Sequence, residues 1–264
     1  NNIACFDYPD EAVRYLNKYY RWSRTRSLTI QFKEKDINEE RKNKVLKIIN
    51  KAKEEERNAL YFEEAKRIMD LYDIKASPVW EILPGTNNNQ AGISFPVALK
   101  VDSDKILHKT EKKALILDIK NEEELEKAIS LMRSGFSEEK LIIQPMLERK
   151  TELILGIKKD EVFGPAVVYG LGGIYTEIFK AVNFLIPPTD SEEIEREIRK
   201  SKISFLFWGA RGQAPYNIEE LSDILQKISF LAQEIGEIKE FDINPLLIYN
   251  DGKEAVAVDV KIII

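Results

Sequence analysis

The sequence predicts an α+β fold on three observations: strand and helix signals follow one another in irregular order after residue 96, two helices open on capping boxes, and the chain closes on a hairpin turned by Asp251-Gly252. With 264 residues and 44% hydrophobic content, the chain can bury a substantial core. The one cysteine, Cys5, has no partner for an internal disulfide, and no signal peptide or long apolar run is present, so the expected compartment is the cytoplasm. Charged residues make up 32% but nearly cancel, to a net charge of -5, which argues against broad attraction to nucleic acid or to an anionic membrane.

The elements follow in order. Ala12, Val13, Leu16 and Tyr19-Tyr20 are spaced as a short amphipathic helix over 9–22, read as a remnant of a preceding unit in a chain that opens on Asn rather than Met. Ser27 to Glu40 is polar and mixed in charge and reads as a linker. Helices are predicted near 41–56 and 62–72, then an exposed loop through Pro78, Pro84-Gly85 and Asn87-Asn88-Asn89. Strands are predicted at 96–101, 114–119, 140–147, 152–157 and 165–171. Asn121 with Glu124 opens a helix over 122–133, and Asn217 with Glu220 opens another along the stripe Leu221, Ile224, Leu225, Ile228 and Leu231. A further helix is predicted over 192–200.

The closing hairpin carries the first chemical expectation. Centring the turn on Asp251-Gly252 sets Asn244 opposite Asp259 and Asp242 opposite Lys261, all four on one face. Directly paired residues have Cβ atoms roughly 5 Å apart, so an amide oxygen and a carboxylate there can share one hard cation, Mg²⁺ being the best match. The same pattern also describes a solvated face with an Asp242–Lys261 cross-strand pair.

Asp-Ile-Asn-Pro-Leu (242–246) with Val-Asp-Val-Lys-Ile (258–262) resembles the end of acyl-CoA synthetase β-subunits. Pro96 to Lys100, followed by Ile106-Leu107-His108-Lys109-Thr110-Glu111, resembles the strand and His-Lys motif of the ADP-forming acetyl-CoA synthetase family. Glu152 to Gly156, Phe163-Gly164-Pro165, Gly170 to Ile174, Glu177 and Gly209-Ala210-Arg211-Gly212 continue in that family's order, so the resemblance spans about 45–264. Phe6 to Tyr20 resembles the tail of the α part of fused members.

This resemblance implies an ATP-grasp fold with two α/β lobes over 45–264, the small lobe about 76–137 and the remainder the large lobe, with 1–44 a remnant and linker. It implies ATP or ADP with Mg²⁺ as ligands, and an α-type CoA-binding partner in a hetero- or homo-oligomer. The implied reaction takes acyl-CoA, ADP and phosphate to the acid, CoA and ATP. His108 is the implied phosphoryl carrier, since a neutral imidazole nitrogen is nucleophilic near neutral pH. Arg211 is the implied phosphate or partner clamp. Lys100, Lys109, Gln144, Met146, Glu152, Gly172 and Gly173 would bind nucleotide, and Asn244 and Asp259 the metal.

Three departures weigh on turnover. Lys112-Lys113-Ala114 stands where the family has a hydrophobic residue and two glycines. Lys180-Ala181-Val182 replaces Lys-Asp-Val, and Leu185 stands where an arginine is usual. The substitutions at 112–114 and at 181 favour a second reading, a catalytically impaired nucleotide-sensing or scaffold module attached to a synthetase-like or acetyltransferase protein.

Overall fold

The computed structural model describes residues 6, 8–31, 37–86, 92–105, 114–161, 164–173, 182–209, 212 and 214–264, and in the first helix the side chains only through residue 20 and at Ser23. Helix α1 (Pro9–Gln31) runs beyond its predicted end and through the start of the expected linker. After Pro9 no proline or glycine interrupts it, so nothing steric ends it there. Helix α2 (Glu39–Glu54) starts where Asn38 accepts from the Arg41 amide at 3.0 Å. Helix α3 (Phe62–Leu71) starts where Glu64 reaches back to the Tyr61 amide at 2.9 Å.

Two antiparallel sheets follow, confirming the α+β class. The smaller holds β1 (Trp80–Ile82), β2 (Val97–Asp102), β3 (Leu115–Ile119) and β4 (Lys140–Pro145) in the order β1-β4-β2-β3. Strand β1 lies within the stretch read as a loop: three residues between Pro78 and Pro84 are too few for a period-two pattern to register. Helix α4 (Glu122–Gly135) covers one face, its Leu125, Ala128 and Met132 sharing a core with Val97, Leu99, Val101, Leu141 and Ile143. Asn121 caps it as predicted, accepting from the Glu124 amide at 2.9 Å, while Glu124 reaches back to the Lys120 amide at 2.8 Å. Strand alternation then turns Ala98, Lys100, Asp102 and Gln144 to the opposite face.

The larger sheet has β5 (Thr151–Asp160), β6 (Gly164–Leu171), β7 (Val182–Leu185), β8 (Glu240–Ile248), β9 (Val256–Ala257) and β10 (Val260–Ile263), in the order β10-β8-β5-β6-β7 with β9 also on β8. Helices α5 (Ser191–Lys200) and α6 (Ile218–Glu234) pack together, and Leu221, Leu225 and Ile228 of α6 join Leu153, Leu155, Val167 and Ile243 in the larger core. Each such buried aliphatic side chain contributes about 1.5–3 kcal/mol. Tyr72 and Arg41 both bind the buried Glu234 carboxylate, and burial followed by that charge pushes the Tyr72 phenol well above its ordinary range.

The register set by Asp251-Gly252 holds along the whole C-terminal ribbon: Ile243 faces Val260, Asp242 faces Lys261, and Leu246 faces Ala257. The predicted second strand is split into β9 and β10 around Val258-Asp259, yet the Asn244 amide still donates to the Asp259 carbonyl at 3.0 Å and the Val258 amide to the Pro245 carbonyl at 2.9 Å. Among the described residues, no helix is long and apolar enough to cross a membrane.

Candidate functional site

The polar face of the small sheet meets the C-terminal ribbon across a cleft of about 660 Å³. Lys100 and Gln144 line it from β2 and β4, Met146 from the segment after β4, and Asp242, Asn244 and Asp259 from the ribbon. Val258 joins the two walls. Its carbonyl accepts from Gln144 Nε2 at 3.2 Å and from Lys100 Nζ at 3.5 Å, and Lys100 Nζ lies 3.9 Å from the Asp259 carboxylate. Gln144 Oε1 is buried without a hydrogen-bond partner among the described residues. With its amide nitrogen held by Val258, that oxygen is left as an acceptor for a ligand donor.

Asn244 and Asp259 sit directly opposite each other and both line the cleft. Among the described residues no three His, Cys, Asp or Glu side chains gather as a metal cluster. Two hard oxygen donors beside a lysine nevertheless fit a cation that completes its shell with water and phosphate oxygens. Asp242, two residues from Asn244, is pushed up to about 6 by burial and then by the charges of Glu240 and Asp259, against the pull of Lys261.

Several expected residues lie elsewhere. Glu152 is not in the lining of this cleft; it belongs to the glycine turn, its carbonyl accepting from the Gly172 amide at 2.8 Å. A Cβ on Gly173, whose φ is +63°, would stand 3.0 Å from Glu152 Oε2. Gly172 and Gly173 are thus packed against Glu152, and none of the three lines the cleft. The Met146 amide is engaged by the Pro96 carbonyl at 2.9 Å, so the hinge does not offer that donor to a base. His108, Lys109 and Arg211, with Lys112, Lys113 and Ala181, lie outside the described residues, whereas Ala114 is fully buried in the small-sheet core. Leu185 is 4% exposed and belongs to the larger core, so no arginine-like function survives at that position.

The structure adds residues not singled out from the sequence. Asp102 lines the cleft, and its carboxylate accepts from the Phe62 amide at the start of α3 at 3.0 Å. Arg149 lines the cleft and pairs with Glu152 at 3.6 Å. Period-two alternation from Lys100 would have found Asp102. Arg149 carried no signal, being one cation in the mixed run Glu148-Arg149-Lys150.

A nucleotide-sized cleft between two antiparallel sheets, with a lysine on one wall and facing oxygen ligands on the other, defines the class, and the ATP-grasp domain family matches residues 51–264. The β subunit of ADP-forming acetate–CoA ligase I of Pyrococcus furiosus is 40% identical over 233 residues, covering 84% of this chain and 98% of that one. The ADP-forming 4-hydroxybutyrate–CoA ligase of Nitrosopumilus maritimus is 30% identical over 274 residues, covering 99% of this chain but 38% of that longer protein. Among solved structures, the dinucleotide-forming acetyl-coenzyme A synthetase 1 of Candidatus Korarchaeum cryptofilum, in complex with coenzyme A and Mg-AMPPCP, superposes with a TM-score of 0.72 at 32% identity, covering 83% of this chain and 99% of that one. The chain therefore belongs to the ATP-grasp family, in the group of ADP-forming acetate–CoA ligase β subunits.

Proposed function

We propose that the chain is the nucleotide-binding half of an ADP-forming acyl-CoA synthetase, passing a phosphoryl group between a histidine and ADP or ATP so that, with an α-type partner or fused domain, acyl-CoA, ADP and phosphate become acid, CoA and ATP. The observation that carries this reading is the convergence of Lys100 and Gln144 on Val258-Asp259 across the cleft. The names and nucleotide complex of its relatives support it. If the lobes follow the two sheets, the small one runs from about 76 past the expected 137 to about 145, because β4 pairs with β1 and β2, and the large one is the remainder of 45–264.

Lys100 meets phosphate oxygens beside the Asp259 carboxylate that already faces its ammonium. Gln144 Oε1 accepts from a donor on the nucleotide, and the Met146 segment borders the base. Asn244 and Asp259 hold Mg²⁺, which when bound offsets the negative charge of the phosphates. Glu152, Gly172 and Gly173 fix a turn on the nucleotide side, Arg211 clamps a phosphate or the partner, and Lys109 adds a cation beside the carrier. An imidazole nitrogen of His108 bonds to the transferred phosphorus as the bond from that phosphorus to the departing ADP oxygen breaks; the reverse step returns the group to ADP.

The buried Leu185 favours one competing reading, a module that binds nucleotide without transfer. Calorimetry with Mg·ATP followed by labelling from γ-labelled ATP separates them. Synthetase function predicts binding and a label on His108 that is lost in His108→Ala. Binding without label supports the sensor, and ATP formation by His108→Ala at the normal rate with an α-type partner removes the carrier role.

A further inference from the structure

Helix α1 carries an apolar face on which Phe6 stacks against Tyr15 with ring centroids 5.2 Å apart while Val13, Leu16 and Tyr20 stand open. On a wheel of about 100° per residue, Tyr15, Tyr19, Ala12, Leu16, Tyr20 and Val13 fall in that order along one arc of roughly 160°. Arg14, Asn17 and Lys18 take the far side. Val13, Leu16 and Tyr20 are 65%, 61% and 65% exposed. A helix bathed on all sides has no use for such a face; amphipathic stripes of this width exist to be buried. Tyrosine-rich faces are characteristic of protein interfaces, where a rigid ring adds area and the hydroxyl keeps a polar contact.

The family match begins at residue 51, after α1. Two separate β subunits cover only 84% of this chain although nearly their whole lengths, 98% and 99%, are matched. Two longer ligases cover 99% and 100% of it. Helix α1 thus precedes the ATP-grasp body and has its counterpart in ligases that carry further sequence in the same polypeptide.

We infer that α1 is a docking helix for the α-type CoA-binding unit, its Tyr-Leu-Val face seated in an apolar groove of that unit. This rests on the synthetase reading above. The test is amide hydrogen exchange on two intact proteins: this chain alone and the Nitrosopumilus maritimus ligase. Alone, α1 is expected to exchange at least about 100-fold faster than α6, whereas its counterpart in the longer ligase is protected to the level of the α6 counterpart. Leu16→Glu combined with Tyr20→Glu should leave the unfolding midpoint and Mg·ATP binding of this chain unchanged.

Rapid exchange of the counterpart in the longer ligase overturns the inference. So does a midpoint lowered by several degrees in the double variant, which would mean that α1 packs on its own body. A concentration-dependent dimer of this chain that the double variant abolishes, or co-sedimentation with phosphatidylserine vesicles that it abolishes, assigns the face to another occupant and equally overturns it. Failure of the unaltered chain to bind Mg·ATP counts against the synthetase reading instead and leaves the exchange comparison intact.

Discussion

The two walls of the cleft handle their polar groups in opposite ways. On the small-sheet wall they are sunk: Lys100 is 5% exposed and Gln144 1%, both tied to the Val258 carbonyl. On the ribbon wall the Asp259 side chain is 30% exposed and Asn244 is exposed. The buried wall is arranged before any ligand arrives, so little side-chain entropy remains to be lost on binding. The open wall suits Mg²⁺, which dehydrates reluctantly and keeps waters in its shell.

The largest effect should come from the buried wall. Lys100→Met removes an ammonium that no solvent can replace, and the affinity for Mg·ATP should fall by about 100-fold or more, in line with truncating one partner of a desolvated charge pair. Without nucleotide the same variant should unfold at nearly the same temperature, because an apolar chain of similar length fills the buried site and the Asp259 carboxylate it leaves, 30% exposed, stays hydrated. Calorimetry and thermal unfolding read the two effects separately. A threefold loss or less would mean that Lys100 is not on the phosphate side and would erase the contrast between the walls.

The open wall should respond more mildly and through magnesium alone. Asn244→Ala and Asp259→Ala are each expected to raise the Mg²⁺ concentration needed for half-maximal nucleotide binding by about 10- to 100-fold, the range seen when the surroundings of a metal ligand are altered. ATP binding in the presence of a chelator should stay as it is. Equal losses with and without Mg²⁺ would make these two residues part of the nucleotide contact and the walls alike.

Away from the cleft, Gly172→Ala tests whether the glycine turn is held as tightly as the structure has it. An added Cβ would meet the Glu152 carbonyl carbon and oxygen at 3.1 Å and the Glu152 Cβ at 3.2 Å, all on the neighbouring strand. The turn must shift, with an expected loss of about 1–3 kcal/mol in denaturant unfolding. An unchanged midpoint would show the turn free to yield.

The ribbon wall was legible from the sequence because a two-residue Asp-Gly turn fixes the register, and the register fixes which side chains meet; that Asn244 faces Asp259 followed from that alone, while their part in holding a metal came from the resemblance. The buried wall was half legible. A lysine ending an apolar strand demands a partner, but the sequence could not show that the partners include the Val258 carbonyl, since a backbone group has no sequence signature. Glu152 was expected to meet nucleotide or metal because motif order locates a residue along the chain without telling which way its strand turns it. Strands β1 and β7 are too short to show a period, and α1 outran its predicted end because residues 23–31 lack the apolar spacing that marks a helix while containing nothing that stops one.

The smallest effect expected lies at the joint that sets the distance between the walls. The Tyr61 ring lies between Arg57 at 4.2 Å and Lys140 at 4.3 Å, Arg57 binds both Glu64 oxygens at 2.8 Å, and Asp102 caps α3 from the small sheet. Burial alone would raise Glu64; the hydrogen bond from Arg57 and that from the Tyr61 amide outweigh it and hold the carboxyl below its ordinary value. A depressed carboxyl contributes stability that is complete above its unfolded pKa and is lost as pH falls through the folded one. The unaltered protein should therefore lose stability on acidification below about pH 4.3, and Glu64→Gln should flatten that acid limb while lowering stability near neutral pH by about 1 kcal/mol. Denaturant unfolding between pH 3 and pH 7 reads both. An acid limb equally steep in the variant would place the titrating group elsewhere and leave the joint without an electrostatic part in holding the two walls at their distance.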